Sequence, residues 1–225
     1  MIPRIGLDLE AGLHVARAVP NLDLLDVAYG AVHGGAQVLM LPMAAFVSSA
    51  YTPDLFKRPG LPLLVVKTEV DDLDRVTGLG RAPDRILVVG ERGRTVQDWS
   101  RVAAFAARTG GDDFELAALI EPEVSALKEL IRLHAHWAYF PTESVVAASA
   151  PQAAEAELAR LTSACLAAAK VNLRVALWGP TGRHLPQAFA ALPHVEEIYP
   201  VPDLWAMALR LGWEWSIEEF RRLMQ

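Results

Sequence analysis

A single cysteine, Cys165, stands among 225 residues. One thiol can form neither a disulfide framework within the chain nor a thiolate metal cluster, so neither is expected to hold this fold together. Long hydrophobic runs are missing too. Each apolar stretch is broken by charge or proline well short of the ~20 residues that cross a bilayer. The opening MIPRIGLDLE lacks the basic and apolar regions of a secretory signal. There is no excess of positive charge either. Lys and Arg number 21 against 27 Asp and Glu, for a net charge of −6, which gives no basic footprint for nucleic acid. No low-complexity tract or linker is visible. These absences predict a cytoplasmic protein with no membrane partner, no nucleic-acid partner and no cofactor.

What is there is apolar sequence in short, regular pieces. Hydrophobic residues make up 52%, and a chain this long can hide roughly 70% of its unfolded surface in one core. A single domain over residues 1–225 is the expectation. Eight runs rich in Val, Leu and Ile carry turn residues at their ends and read as buried parallel strands. They are 4–9, 36–42, 61–67, 85–90, 115–120, 136–141, 173–178 and 195–200. Helical spacing lies between them, over 21–35, 69–80, 95–111, 121–135 and 149–171. The segment between the second and third runs is mostly loop with one short helix. Eight strand–helix units in this length suit a (β/α)₈ barrel; a doubly wound open sheet usually has fewer strands.

In such a barrel, function sits at the C-terminal ends of the strands. That rule selects Leu9, Glu10, Pro42, Lys67, Glu69, Glu91, Arg92, Glu121, Thr142, Glu143, Trp178, Gly179, Thr181, Tyr199 and Asp203. Lys67 could form a Schiff base or bind an anion; the plainer reading pairs it with Glu69 or Glu91 at the rim. Glu121 reads as a carboxylate at the start of a helix, where the dipole favours it. Glu91 and Arg92, in GERGR, suit either a ligand or partner contact or a solvated turn. Gly179, Thr181 and Gly182, in WGPTGRH, could cradle an anion at the start of the next segment, although Pro180 removes one donor. His134 and His136 read as a cap and a rim contact rather than metal ligands. Trp205, Trp213 and Trp215 fit either an oligomer interface or the packing of the last helix across the barrel. Trp178 is placed to fill the mouth of the seventh strand.

GLDLEAGLHVARA resembles the opening of the pyridoxine 5′-phosphate synthase family, with Asp8, Leu13, Ala16 and Arg17 matching its pattern. YFPTESVVA falls where that family carries a threonine motif, and Thr142 matches. The stretch from AAEAELARL to WGPTGRH resembles its sixth helix, seventh strand and following loop, and IEEFRRLM resembles its last helix. The resemblance implies the barrel, an assembly of barrels, and a phosphorylated ligand bound beside strands seven and eight. By its pattern His14 and Arg17 lie where substrate is held, and Arg17, Thr142, Gly179, Thr181 and Gly182 are the ligand-binding candidates. The departures fall on the family's chemical residues. Gly6, Leu9, His14, Pro42, Val66, Tyr139, Pro141 and Gly179 stand where the family has Asn, His, Arg or Glu, and YPVP replaces its last phosphate loop.

Condensing an amino ketone with a sugar phosphate needs several proton transfers by groups that titrate near neutrality. Valine, proline, glycine and leucine carry no protons. Three functions remain in view. One is a repurposed, non-catalytic barrel acting as a scaffold or binding subunit, with a homo-oligomer, a protein partner or a small phosphorylated ligand. Another is a changed enzyme using Lys67, Glu69, Glu91, Glu121 or His14. The third is a working pyridoxine 5′-phosphate synthase.

Overall fold

The computed structural model describes residues 2–13, 23–48, 53–58, 60–79, 83–109 and 113–225. The eight apolar runs are eight parallel strands: β1 (Arg4–Asp8), β2 (Val38–Pro42), β3 (Leu63–Glu69), β4 (Arg85–Val89), β5 (Glu115–Leu119), β6 (Trp137–Pro141), β7 (Arg174–Gly179) and β8 (Val195–Pro200). Each pairs with the next, and β8 returns to β1 through Arg4↔Glu197 and Ile5↔Ile198, closing the barrel. The chain is a (β/α)₈ barrel.

Alternation along the strands divides the apolar residues between two cores. Ile5, Leu7, Leu39, Val66 and Ile86 join the layer between strands and helices. Val38, Met40, Val65, Leu87, Ala117, Tyr139, Ala176 and Tyr199 form a second cluster inside the barrel. At Gly6 the interior leaves no room for a side chain, because a Cβ there would run into the Tyr199 ring. Gly6→Ala is therefore expected to lower the unfolding free energy by about 1–3 kcal/mol, the usual penalty of overpacking. A fall in the urea midpoint would report it; an unchanged midpoint would mean that Tyr199 moves aside freely.

The helices are shorter than the periodicity suggests, each for a local reason. α1 (Leu24–His33) starts where the Asp23 side chain accepts the Leu25 N–H at 2.9 Å. α2 (Met43–Ser48) and α3 (Pro53–Phe56) occupy the segment read as mostly loop. The expected helix over 69–80 reduces to a 3₁₀ turn at Val70–Asp72 and α4 (Leu73–Val76). α5 (Trp99–Thr109) begins after Asp98, whose carboxylate accepts the Ser100 N–H, rather than at Thr95. α6 (Val124–Arg132) begins past Glu121, since a residue before proline is pushed out of the helical region and Pro122 follows it. α7 (Glu143–Ala147) leads to α8 (Pro151–Lys170), with proline in its first turn and eight alanines after it. α9 (Pro186–Ala190) is a single turn or so. The C-terminal segment breaks at Gly212, φ 78°, into α10 (Asp203–Leu211) and α11 (Trp213–Leu223). Trp205 and Trp213 meet edge-on across that break, with centroids 4.7 Å apart.

Candidate active site at the barrel mouth

Lys67 lies two residues before the end of β3, with 5% of its surface exposed. Its Nζ donates to Asp8 Oδ2 at 2.5 Å and to Glu10 Oε2 at 2.6 Å. The expected partners Glu69 and Glu91 are not the ones it finds. The strand register explains this: Asp8 sits beside Met40 and Pro42 sits beside Lys67. Met40 and Val65 belong to the interior cluster, so Asp8 beside Met40 and Lys67 two residues past Val65 both point inward and meet inside the barrel. Glu69 instead accepts the Arg92 N–H at 3.0 Å and ties down the loop after β4. Burial works against the ammonium charge, but Asp8 and Glu10 more than offset it, so the Lys67 pKa lies above its ordinary value.

Trp178 closes this cluster from β7. Its Nε1 donates to Asp8 Oδ2 at 3.1 Å, and Lys67 Nζ lies 4.9 Å from its ring centroid. Trp205 adds a donor from α10, Nε1 to the Asp8 carbonyl at 2.7 Å. Of the C-terminal tryptophans, Trp205 thus packs into the barrel, Trp213 packs on Trp205, and Trp215 is 67% exposed.

The glycine loop after β7 has the backbone of an anion cradle. Gly179 takes φ 131°, and a side chain there would strike Thr142 and Glu143. The Thr181 N–H (2.6 Å) and the Gly182 N–H (3.1 Å) both donate to Asp203 Oδ2, with the Thr181 hydroxyl at 3.3 Å. The chain's own carboxylate therefore sits where the sequence suggested an anionic ligand. Thr142 is fully buried and its hydroxyl donates to the Pro180 carbonyl at 2.7 Å, which braces the same loop. Asp203→Ala should cost about 1–3 kcal/mol, because the Thr181 and Gly182 N–H groups lose their acceptor. Inorganic phosphate should then raise the melting temperature of the variant and leave that of the wild-type protein in place. Equal responses would show that Asp203 does not control the cradle.

Glu121 does not open a helix. It accepts from the Thr95 hydroxyl at 3.1 Å and lies 3.8 Å from Arg160 on α8. His14 and Arg17 lie outside the described residues. His134 takes φ 51° at the turn before β6, and His136 Nδ1 accepts the Leu116 N–H at 3.2 Å. Among the described residues no group of three His, Cys, Asp or Glu side chains could hold a metal. Over the ends of β4 to β7 lies a cleft of about 490 Å³, whose lining includes Arg92, Arg94, Glu121, Glu143, Ser144 and Trp178.

A second buried charge network, unforeseen from the sequence, fills the opposite end of the barrel. Arg85, 2% exposed, donates to Glu197 Oε2 at 2.6 Å, to the Tyr139 hydroxyl at 2.7 Å and to Glu115 at 3.1 Å. Glu197, fully buried, also accepts from Arg4 at 2.6 Å and from Tyr199 at 2.8 Å. Arg174 pairs with Glu115, and the Trp137 ring lies 3.6 Å from the Arg85 guanidinium carbon. A signal existed: Arg4, Arg85, Glu115 and Arg174 each open a strand, on the residue whose alternation points inward. At the N-terminal face such a plug reads as stability rather than chemistry.

No known protein-family model matches this chain, and no curated protein matches it. Solved structures resemble it in fold. The 4-hydroxy-2-oxoglutarate aldolase/2-deydro-3-deoxyphosphogluconate aldolase from TTHB1 superposes with a TM-score of 0.61 at 14% identity, over 100% of this chain and 96% of that one. Thiamine phosphate pyrophosphorylase from Pyrococcus furiosus gives 0.60 at 13% identity, over 99% and 95%. KGPDC from Streptococcus mutans gives 0.65 at 11% identity, over 100% and 98%. At these identities the likeness concerns the barrel alone. No helix among the described residues is long and apolar enough to cross a membrane.

Proposed function

We propose that this chain is a repurposed barrel that does not carry out the pyridoxine 5′-phosphate synthase reaction and works as a binding subunit. One observation carries the reading: its own groups fill the places where the mouth would grip a substrate. Lys67 is clamped between Asp8 and Glu10 under Trp178. The cradle after β7 holds Asp203. A nucleophilic or basic lysine must be neutral, yet Asp8 and Glu10 raise the Lys67 pKa above its ordinary value and favour the ammonium form. Asp203 in turn would have to be expelled before a phosphate could enter.

A second reading, a changed enzyme, draws on Lys67 itself. A buried ammonium with two carboxylates is expensive to desolvate, and it stands at the face where barrels do chemistry. In that reading Lys67 donates a proton or steadies a developing negative charge, with Asp8 and Glu10 keeping it charged. Self-association is part of the proposal: Leu209 and Trp215 are 81% and 67% exposed on the two C-terminal helices, which suits an assembly of barrels. Light scattering at micromolar concentration should then give more than one chain per particle.

The test of function is direct. Purified protein is incubated with the synthase family's amino ketone and sugar phosphate, and pyridoxine 5′-phosphate is measured. None is expected, even at high protein concentration. Turnover that disappears in Lys67→Ala would overturn the non-catalytic reading.

A further inference from the structure

The loop Glu91–Thr95 is built with some strain to present two arginines. Arg92 adopts φ 57°, ψ 33°, a left-handed conformation that a side chain disfavours by roughly 1–2 kcal/mol. Three hydrogen bonds hold it there: Arg92 N–H to Glu69, Gly90 N–H to the Arg94 carbonyl at 2.7 Å, and Val96 N–H to the Leu119 carbonyl at 2.8 Å. Strain maintained this firmly marks a place where geometry is used. Arg92 and Arg94 border the cleft at the barrel mouth, and among the described residues neither guanidinium has a carboxylate partner within ion-pair distance.

Glu143 lines the same cleft, and among the described residues no cation lies within ion-pair distance of it. Burial, reinforced by Glu121, raises its pKa above the ordinary carboxylate value. It is packed beside Gly179 at the head of α7, where a Cβ on residue 179 would lie 2.9 Å from its Oε1. Two cations and an acid that have no ion-pair partner among the described residues share one cavity and do not pair with each other. The Trp178 indole lies in the lining with them.

We propose that this cleft binds a small planar zwitterion. Its carboxylate would be taken by Arg92 and Arg94, its ring or unsaturated body would lie against Trp178, and its ammonium would face Glu143. About 490 Å³ suits a ligand of modest size. An arginine pair suits a carboxylate because the planar guanidinium fork matches its two oxygens. This site is separate from the Asp203 cradle, and the inference rests on the binding reading of the barrel rather than on whether any catalysis survives.

The probe is 4-(aminomethyl)benzoate, with benzoate, benzylamine and inorganic phosphate as comparisons, read by tryptophan fluorescence and calorimetry on the full chain. Saturable binding of the zwitterion is expected, at least about tenfold tighter than benzoate or benzylamine, equivalent to a discrimination of about 1.4 kcal/mol. Arg94→Ala and Arg92→Ala should each weaken it about tenfold or more. Glu143→Gln should weaken the zwitterion while leaving benzoate unchanged, a pattern that general loss of structure cannot produce. The arginines are exposed, and circular dichroism would verify that these variants fold. No saturation below about 10 mM would overturn the proposal. So would binding indifferent to both arginines, or benzoate binding as tightly as the zwitterion. Because the readout is binding, its failure leaves the turnover test untouched, and turnover by the wild-type protein would not by itself rescue this site.

Discussion

Lys67→Met should lower the unfolding free energy by about 3–5 kcal/mol, the usual effect of removing one partner from a buried ion pair. Methionine matches the lysine stem in length, so little packing is lost. Asp8, however, is 2% exposed and among the described residues would keep only the Trp178 Nε1 and Glu10 N–H donors. Urea unfolding reads the loss. Adding Asp8→Asn to Lys67→Met should recover most of it, because the stranded charge is then gone as well. If the double variant is as unstable as the single, the damage came from packing and the ion pair is not the cause. The sign with pH is also set. The Lys67 pKa is raised in the folded state, so its contribution is fully present below the ordinary lysine value and is lost only as pH rises through the folded value. The gap between wild type and Lys67→Met should stay level across neutral pH and shrink in strong alkali.

Glu197→Gln should do comparable harm at the other end of the barrel. Glu197 is fully buried and holds Arg85, Arg4 and Tyr199 together. Neutralising it leaves the Arg85 guanidinium, itself 2% exposed, with Glu115 as its remaining carboxylate, at an expected cost of about 3–5 kcal/mol. The pair Arg85→Met/Glu197→Leu should restore most of the stability. Binding at the mouth should be unaffected, since this network lies at the opposite face. The tyrosines add an alkaline limit. Burial, then the Glu197 charge, push Tyr139 and Tyr199 above the ordinary value of 10.0. A raised folded value means that the unfolded chain releases those protons first, so stability falls as pH climbs past about 10. In Tyr139→Phe/Tyr199→Phe that decline should be shallower. A wild-type protein whose urea midpoint holds steady to pH 11 or so would contradict this account of the plug.

Most of the site was within reach of the strand-end rule. Glu10, Lys67, Trp178, Thr181 and Asp203 were all selected by it, and all take part in the contacts at the mouth. Their partners were not legible. Lys67 was expected beside Glu69 or Glu91, yet it meets Asp8 because strand alternation points both side chains into the barrel. Asp203 and Thr181 are 22 residues apart and meet only because β7 and β8 are adjacent. The helices showed the same limit. Glu121 and Thr95 looked like helix starts in isolation, whereas Pro122 and the cap at Asp98 moved both helices further along the chain.

What the sequence determined by itself is the architecture. Eight short β-rich runs separated by helical spacing can bury all their apolar faces together by closing into a barrel, and that pattern is a property of neighbouring residues, readable at a period of two or near four. The tertiary structure decided which charges meet. Arg4, Arg85, Glu115, Arg174 and Glu197 lie up to 193 positions apart, and strand closure alone brings them into one network. Closure likewise seats Asp203 in the glycine loop and clamps Lys67 between two carboxylates. The physical reason is range. Secondary structure follows from local spacing, whereas a buried charge is stable only with a partner and donors supplied by other strands, and their identity depends on register, reach and the size of the side chain between them.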